Sequence, residues 1–102
     1  MKNQVISDLK KVPLSVVFDA LGDPARLRII KTLLEKKEAP CGDCDMPVSK
    51  STLSHHYKVL RQAGLVRTRS EGTWQFNSLR LDEIEQRFPG LLHLLDKCQG
   101  PY

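Results

Sequence analysis

At Gly64 the hydrophobic pattern of this chain changes its period, and few folds tolerate such a change at that place. Upstream, in "SKSTLSHHYKVLRQAG" (residues 49–64), apolar residues recur at helical spacing. At about 100° per residue, Leu53, His56, Tyr57, Leu60 and Ala63 fall on one side, and Ser51, Ser54, His55, Lys58, Arg61 and Gln62 on the other. Downstream, "LVRTRSEGTWQFNSL" alternates with a period of two around the turn-like "SEGT", which reads as a two-stranded hairpin. A lone hairpin is barely stable in water, so this one has to lean on the helices, with Val66, Trp74 and Phe76 expected to make the contact.

The remaining segments supply those helices. "PLSVVFDALG" puts Val16, Val17, Ala20 and Leu21 on one helical side, with Pro13 suited to the start and Gly22 to the stop. "DPARLRIIKTLLEKK" follows, with Asp23 as N-cap, Pro24 in the first turn and Leu27, Ile30, Leu33 and Leu34 as the buried stripe. "EAPCGDCDMPVSK" carries Pro40, Gly42 and Pro47 and reads as a loop or at most a single turn. "LDEIEQRFPGLLHLLDKC" reads as a helix broken or restarted at Pro89 and Gly90. At the front, Val5, Ile6 and Leu9 form a thin stripe on a short helix or arm. A length of 102 residues is that of one domain with a modest core.

Several classes of function drop out early. No apolar run approaches the roughly 18 residues of a membrane span, and "MKNQVISDLKKVPL" has no apolar signal core, so a cytoplasmic chain is expected. Three cysteines without a secretion signal argue against a disulfide framework. The C-x-x-C of Cys41 and Cys44 lacks the preceding strand of a thioredoxin-like enzyme, so no catalytic residues are expected.

The excess of 16 Lys and Arg over 12 Asp and Glu, a net charge of +4, favours a polyanionic partner. The polar side of the 49–64 helix suits a duplex groove, where base edges offer donors and acceptors that Ser, Thr, His and Lys can meet. Small residues at its start let the backbone approach phosphate. Ser51, Thr52, Ser54, His55 and Lys58 are therefore candidate DNA-binding residues, and His56, among core residues, is structural. Arg67 and Arg69, two apart on the first strand, with Thr73 just past the tip, would add a basic grip on neighbouring phosphates. The competing readings are an ordinary solvated helix face, a strand edge protected by charge, and a protein-interaction module with no nucleic-acid role.

In "LGDPARLRIIKTLLE", "SKSTLSHHYKVLRQAGLV" and "RTRSEGTWQFNSL" the chain resembles the ArsR/SmtB-like (arsenical-resistance repressor) family of winged helix-turn-helix regulators, over roughly residues 15 to 80. The resemblance implies a mainly α fold with a two-stranded β-hairpin wing, homodimeric through its first and last helices, bound to an inverted-repeat operator and usually repressing, with Lys50, Ser51, Ser54 and His55 reading DNA and Arg67 and Arg69 as the wing arginines. The expected layout is an N-terminal arm or helix at 1–12, a helical DNA-binding core at 13–64, the wing at 65–80 and a C-terminal dimerisation helix at 81–102. Val5, Leu9, Leu91, Leu92, Leu94 and Leu95 are the candidate dimer interface.

The departures from the family concern the segment before the recognition helix, where members often carry a longer leucine- and alanine-rich helix and this chain has the short "CGDCDMPV". Metal-sensing members commonly separate two thiolates there by one residue, whereas Cys41 and Cys44 have two between them. Cys41, Cys44 and, across a dimer, Cys98 remain candidates for a soft metal or metalloid ion or a reversible disulfide. The bland expectations are loop cysteines with no sensing role and a Cys98 buried as a small apolar residue. His93 and Asp96, one helical step apart, are a weak metal pair without a second half.

Overall fold

The computed structural model describes residues 8–40 and 47–102. A single 3-10 turn at Leu9–Lys11, capped by the Asp8 carboxylate, leads into the first helix, α1 (Leu14–Leu21), which buries Val17, Ala20 and Leu21 and leaves Val16 outside. The second helix, α2 (Pro24–Lys36), begins where Asp23 accepts the N–H groups of Ala25 (2.8 Å) and Arg26 (3.3 Å), and Pro24 occupies a position that needs no N–H. Ile29, Ile30 and Leu33 are its buried residues, with Leu27 and Leu34 packed half-buried against the same core. Lys37, at φ 68°, ends it.

The sequence expectation of a loop after α2 needs correction. Glu38–Pro40 form a strand, β1, and among the described residues the sheet has three strands, not the two of a lone hairpin. The hairpin itself is β2 (Val66–Glu71) and β3 (Trp74–Leu79), in register from Val66 opposite Leu79 to Glu71 opposite Trp74. β1 lies antiparallel on the other side of β3, with Glu38, Ala39 and Pro40 opposite Ser78, Asn77 and Phe76. Ala39 points inward and is fully buried, which holds so short a strand in place, while Pro40 sits at an edge-strand position where a missing N–H is tolerated. A three-residue strand shows no usable period, and its proline reads as a breaker.

Helix α3 (Lys50–Gln62) starts at Ser49, whose hydroxyl accepts the Thr52 N–H at 3.1 Å, and it enters the hairpin through Gly64. Gly64 has φ +83°, and a Cβ there would lie 2.8 Å from Leu9 Cδ1. Both the turn and the close approach of Leu9 demand glycine. That contact also corrects the expectation for Leu9: it is 3% exposed within its own chain's core and is not free for a dimer interface.

After the sheet come α4 (Leu81–Arg87) and α5 (Leu91–Lys97), separated at Phe88–Gly90 as the Pro-Gly pair demands. Leu91, Leu92 and Leu95 pack half-buried on the core and Leu94 is 62% exposed. Two more expectations fail here. Trp74 does not seal the wing to the helices; it is 62% exposed, on the outer face of the sheet, and Val66 makes the inward contact instead. Cys98 is not buried: it caps α5 and is exposed, one residue beyond the helix that would have covered it.

Candidate nucleic-acid interface

The two flanks of α3 separate as the helical projection requires. Leu53, His56, Tyr57 and Leu60 are buried, and Lys50, Ser51, Thr52, Ser54, His55 and Lys58 are exposed. At the helix start the Ser49 hydroxyl also contacts the hydroxyls of Ser51 (3.2 Å) and Thr52 (2.8 Å), making a compact hydroxyl cluster. First-turn N–H groups have no intrahelical acceptors, so this end of α3 favours an anion.

What fixes α3 on the body is a contact that sequence reading did not supply. Arg26 of α2 donates from Nε to the Ala20 carbonyl and from Nη2 to the Asp19 carbonyl (3.4 Å), while its Nη1 meets His56 Nδ1 at 3.2 Å. A guanidinium only donates, so in this contact His56 Nδ1 is the acceptor. One arginine thus ties the end of α1, the start of α2 and the inner flank of α3. Burial raises the Asp23 pKa, but the N–H groups of Arg26 and Ala25 and the Arg26 charge outweigh it and hold this cap below the ordinary carboxylate value. The clue was available only in part: Arg26 three residues past a capping Asp is visible, its partner 30 residues on is not.

The wing is less simple. Strand alternation puts Val66, Thr68 and Ser70 with Gln75, Asn77 and Leu79 on the face toward α3, where Arg61 Nη1 reaches Thr68 Oγ1 at 3.5 Å and Thr68 donates to Asn77 Oδ1 at 2.7 Å. Arg67 and Arg69 do share one side, but it is the opposite face, and acidic side chains hold both. Arg69 makes a two-pronged pair with Glu38 (2.7 and 2.9 Å), a third contact to Glu71 (2.8 Å), and lies 4.7 Å above the Phe76 ring. Arg67 binds Glu83 at 2.8 Å, and buried Arg80 holds the same carboxylate at 2.6 Å. Hydrogen bonding to Arg69 lowers the Glu38 pKa, and bonding to Arg80 first, then the Arg67 charge, lowers that of Glu83. Thr73 is exposed in the two-residue turn beside Gly72, next to Trp74, which stacks on Phe76 at 6.5 Å.

With this geometry in view, known proteins discriminate among the readings. The family described as "bacterial regulatory protein, arsR family" matches residues 23–68, the stretch from the Asp23 cap through α3 into β2. The HTH-type transcriptional regulator YceK of Bacillus subtilis, itself described as uncharacterized, is 42% identical over 84 residues, covering 78% of this chain and 82% of that protein. An arsenical resistance operon repressor of Staphylococcus xylosus is 39% identical over 83 residues, covering 72% and 74%. The chain belongs to the ArsR family. Among solved structures, an ArsR-like transcriptional regulator from Rhodococcus sp. RHA1 superposes with a TM-score of 0.62 at 25% identity, over 79% of this chain and 77% of that one. The fold is therefore the winged helix-turn-helix of ArsR regulators, and the chain is a DNA-binding transcriptional regulator.

As an ArsR-family member the chain raises the question of a sensed ligand. Cys41, Cys44 and Val5 lie outside the described residues, as does most of the segment expected to lack a positioning helix. Among the described residues no group of three His, Cys, Asp or Glu side chains is placed to hold a metal ion, and His93 and Asp96 are exposed on α5 without a further ligand. The described donors therefore do not fit a metal site. No described helix is long and apolar enough to cross a membrane.

Proposed function

We propose that the chain is a cytoplasmic, homodimeric repressor that inserts the exposed flank of α3 into the major groove of an inverted-repeat operator. In this reading Ser51, Thr52, Ser54 and His55 meet base edges and the nearest phosphates, and Lys50 and Lys58 neutralise phosphate. Thr73 and the wing tip follow the adjacent backbone. The single observation that carries the reading is the division of α3: a polar, hydroxyl-rich flank exposed from Lys50 to Lys58 while the opposite flank is buried and clamped through His56. Arg67 and Arg69 join the phosphate contact when phosphate displaces Glu83 and Glu38, an exchange of one charged acceptor for another. Exposed Leu94 with half-buried Leu91, Leu92 and Leu95 forms the dimer face, placing two α3 helices about 34 Å apart, one turn of DNA.

Ser54→Ala and His55→Ala test the reading. Both variants should keep the fold and the non-specific affinity and lose discrimination between operator and scrambled duplex by about 1–3 kcal/mol per lost base contact. Full discrimination in both would remove α3 from base readout.

A soft-ion or disulfide response at Cys41 and Cys44, with or without Cys98, is supported by their sequence spacing and by the name of the Staphylococcus relative. Operator affinity is to be compared for reduced, peroxide-treated and arsenite-loaded protein, with Cys41→Ser and Cys44→Ser as controls. The reading requires a weakening that both variants abolish; equal affinities throughout dispose of it.

A further inference from the structure

Where α3 meets the inner face of the wing, neither element brings a carboxylate. None of the 13 residues of α3 is acidic, and Lys50, Lys58 and Arg61 make the helix cationic. The wing presents Val66, Thr68, Ser70, Gln75, Asn77 and Leu79 there, while Glu38, Glu71 and Glu83 bind arginines of the opposite face. Apolar anchoring soon ends along the strands: Val66 and Leu79 are buried, Thr68 is half-buried, and Ser70 and Gln75 are exposed.

At Thr68 a chain of hydrogen bonds runs from helix to sheet with a fixed direction. Asn77, 0% exposed, accepts the Thr68 hydroxyl on Oδ1 at 2.7 Å. A threonine hydroxyl has a single proton, so toward Arg61 Nη1, 3.5 Å away, Thr68 Oγ1 is the acceptor. Arg61 is half-buried and has no carboxylate partner among the described residues. Its Nε–Nη2 edge, the side-by-side donor pair that fits the oxygens of one phosphate, is not used by that contact.

We propose that Arg61 is a phosphate-binding residue of the DNA interface, held by Thr68 and Asn77 so that its guanidinium clamps the backbone phosphate passing between α3 and the wing. The site rests on the placement of α3 in DNA proposed above and adds the junction of the two elements to the contact. Position along the helix favours phosphate over a base edge. Arg61 lies ten residues after Ser51, about 15 Å along the axis, and the major groove is about 12 Å wide, so a helix whose start meets bases reaches the backbone by its last turn. Charge favours phosphate too. Arg67 and Arg69 have to exchange a carboxylate for phosphate, whereas Arg61 gives up none. The bond to Thr68 holds the guanidinium beforehand, so less side-chain freedom is lost when phosphate arrives.

The probe is a fluorescein-labelled duplex of random sequence, titrated with the full-length chain across a salt series and followed by anisotropy. Arg61→Gln should bind it about tenfold more weakly at low salt and shallow the log–log salt dependence by about 0.9 for each subunit on the duplex. Arg61→Lys keeps the charge and loses the fork, so it should keep the slope and lose affinity. Thr68→Val should weaken binding about threefold at unchanged slope, and Thr68→Ser, which restores the hydroxyl, should bind as the wild type does. In the wild-type chain the Arg61 Nε–H resonance should shift on adding duplex, which a mere brace between helix and wing would not produce. An unmoved Arg61 resonance in a wild-type complex would overturn the phosphate contact. Wild-type affinity in Thr68→Val would overturn the positioning by Thr68. Failure of the wild-type chain to bind any duplex would strike the proposed function and this site with it, whereas an unchanged slope in Arg61→Gln beside a normal wild-type complex strikes this site alone.

Discussion

At the scale of residues, His56 shows how much a single polar atom in a small core decides. It is 8% exposed and presents Nδ1 to a guanidinium that is always charged. His56→Leu keeps the bulk but leaves Arg26 Nη1 without its acceptor, which should lower stability by about 1–3 kcal/mol in urea unfolding; His56→Gln, which retains an acceptor, should lose less. Gly64→Ala should lose about 1–2 kcal/mol, because φ is +83° and the added methyl meets Leu9. The depressed carboxylates give a pH dependence whose sign is fixed. Asp23, Glu38 and Glu83 lie below their ordinary values of 3.8, 4.5 and 4.5, so their stabilisation is present above those values and is lost as pH falls through the lower folded ones. Acid unfolding should therefore steepen below about pH 4.5, and Asp23→Ala, removing about 1 kcal/mol of cap energy, should flatten part of that limb. The burial of His56 and the Asp23 cap were legible in the sequence, because periodicity and capping are local. The clamp was not, since it joins residues far apart in the chain.

At the scale of elements, the instructive case is β1. Three residues cannot display an alternation, and Pro40 with Gly42 two positions on reads as a loop, yet Ala39 buries itself against the sheet and brings Glu38 onto Arg69. That changes the meaning of the wing arginines. Their spacing correctly placed both on one side of β2, but which side, and which acidic groups wait there, depends on a strand and a helix lying elsewhere in the chain. Glu38→Gln should remove an acceptor that phosphate has to displace from Arg69, raising affinity for all duplexes alike with the log–log salt dependence little changed. Arg69→Ala should lower affinity for all duplexes alike and shallow that dependence by about 0.9; an unchanged slope by fluorescence anisotropy across a salt series would contradict the contact. Trp74 followed the same logic: alternation placed it with Phe76, while the direction of that face needed the sheet.

At the scale of the whole molecule, the order helix, helix, helix, hairpin, helix was legible because long elements carry repeated signals, and membership of the ArsR family agrees with it. The oligomeric state belongs to this scale. Leu94 projects from a helix that buries none of its residues completely, so Leu94→Asp should shift the mass by light scattering from dimer to monomer with helicity retained. The direct test of the central claim, that the exposed flank of α3 meets DNA, is the map of backbone amide shifts on adding an operator duplex. The expected result is that the largest changes fall on Lys50 to Lys58 and on the wing tip around Thr73, with the inner flank at Leu53, Tyr57 and Leu60 following only weakly. Changes confined to α5 and the outer sheet face, with α3 undisturbed, would contradict it.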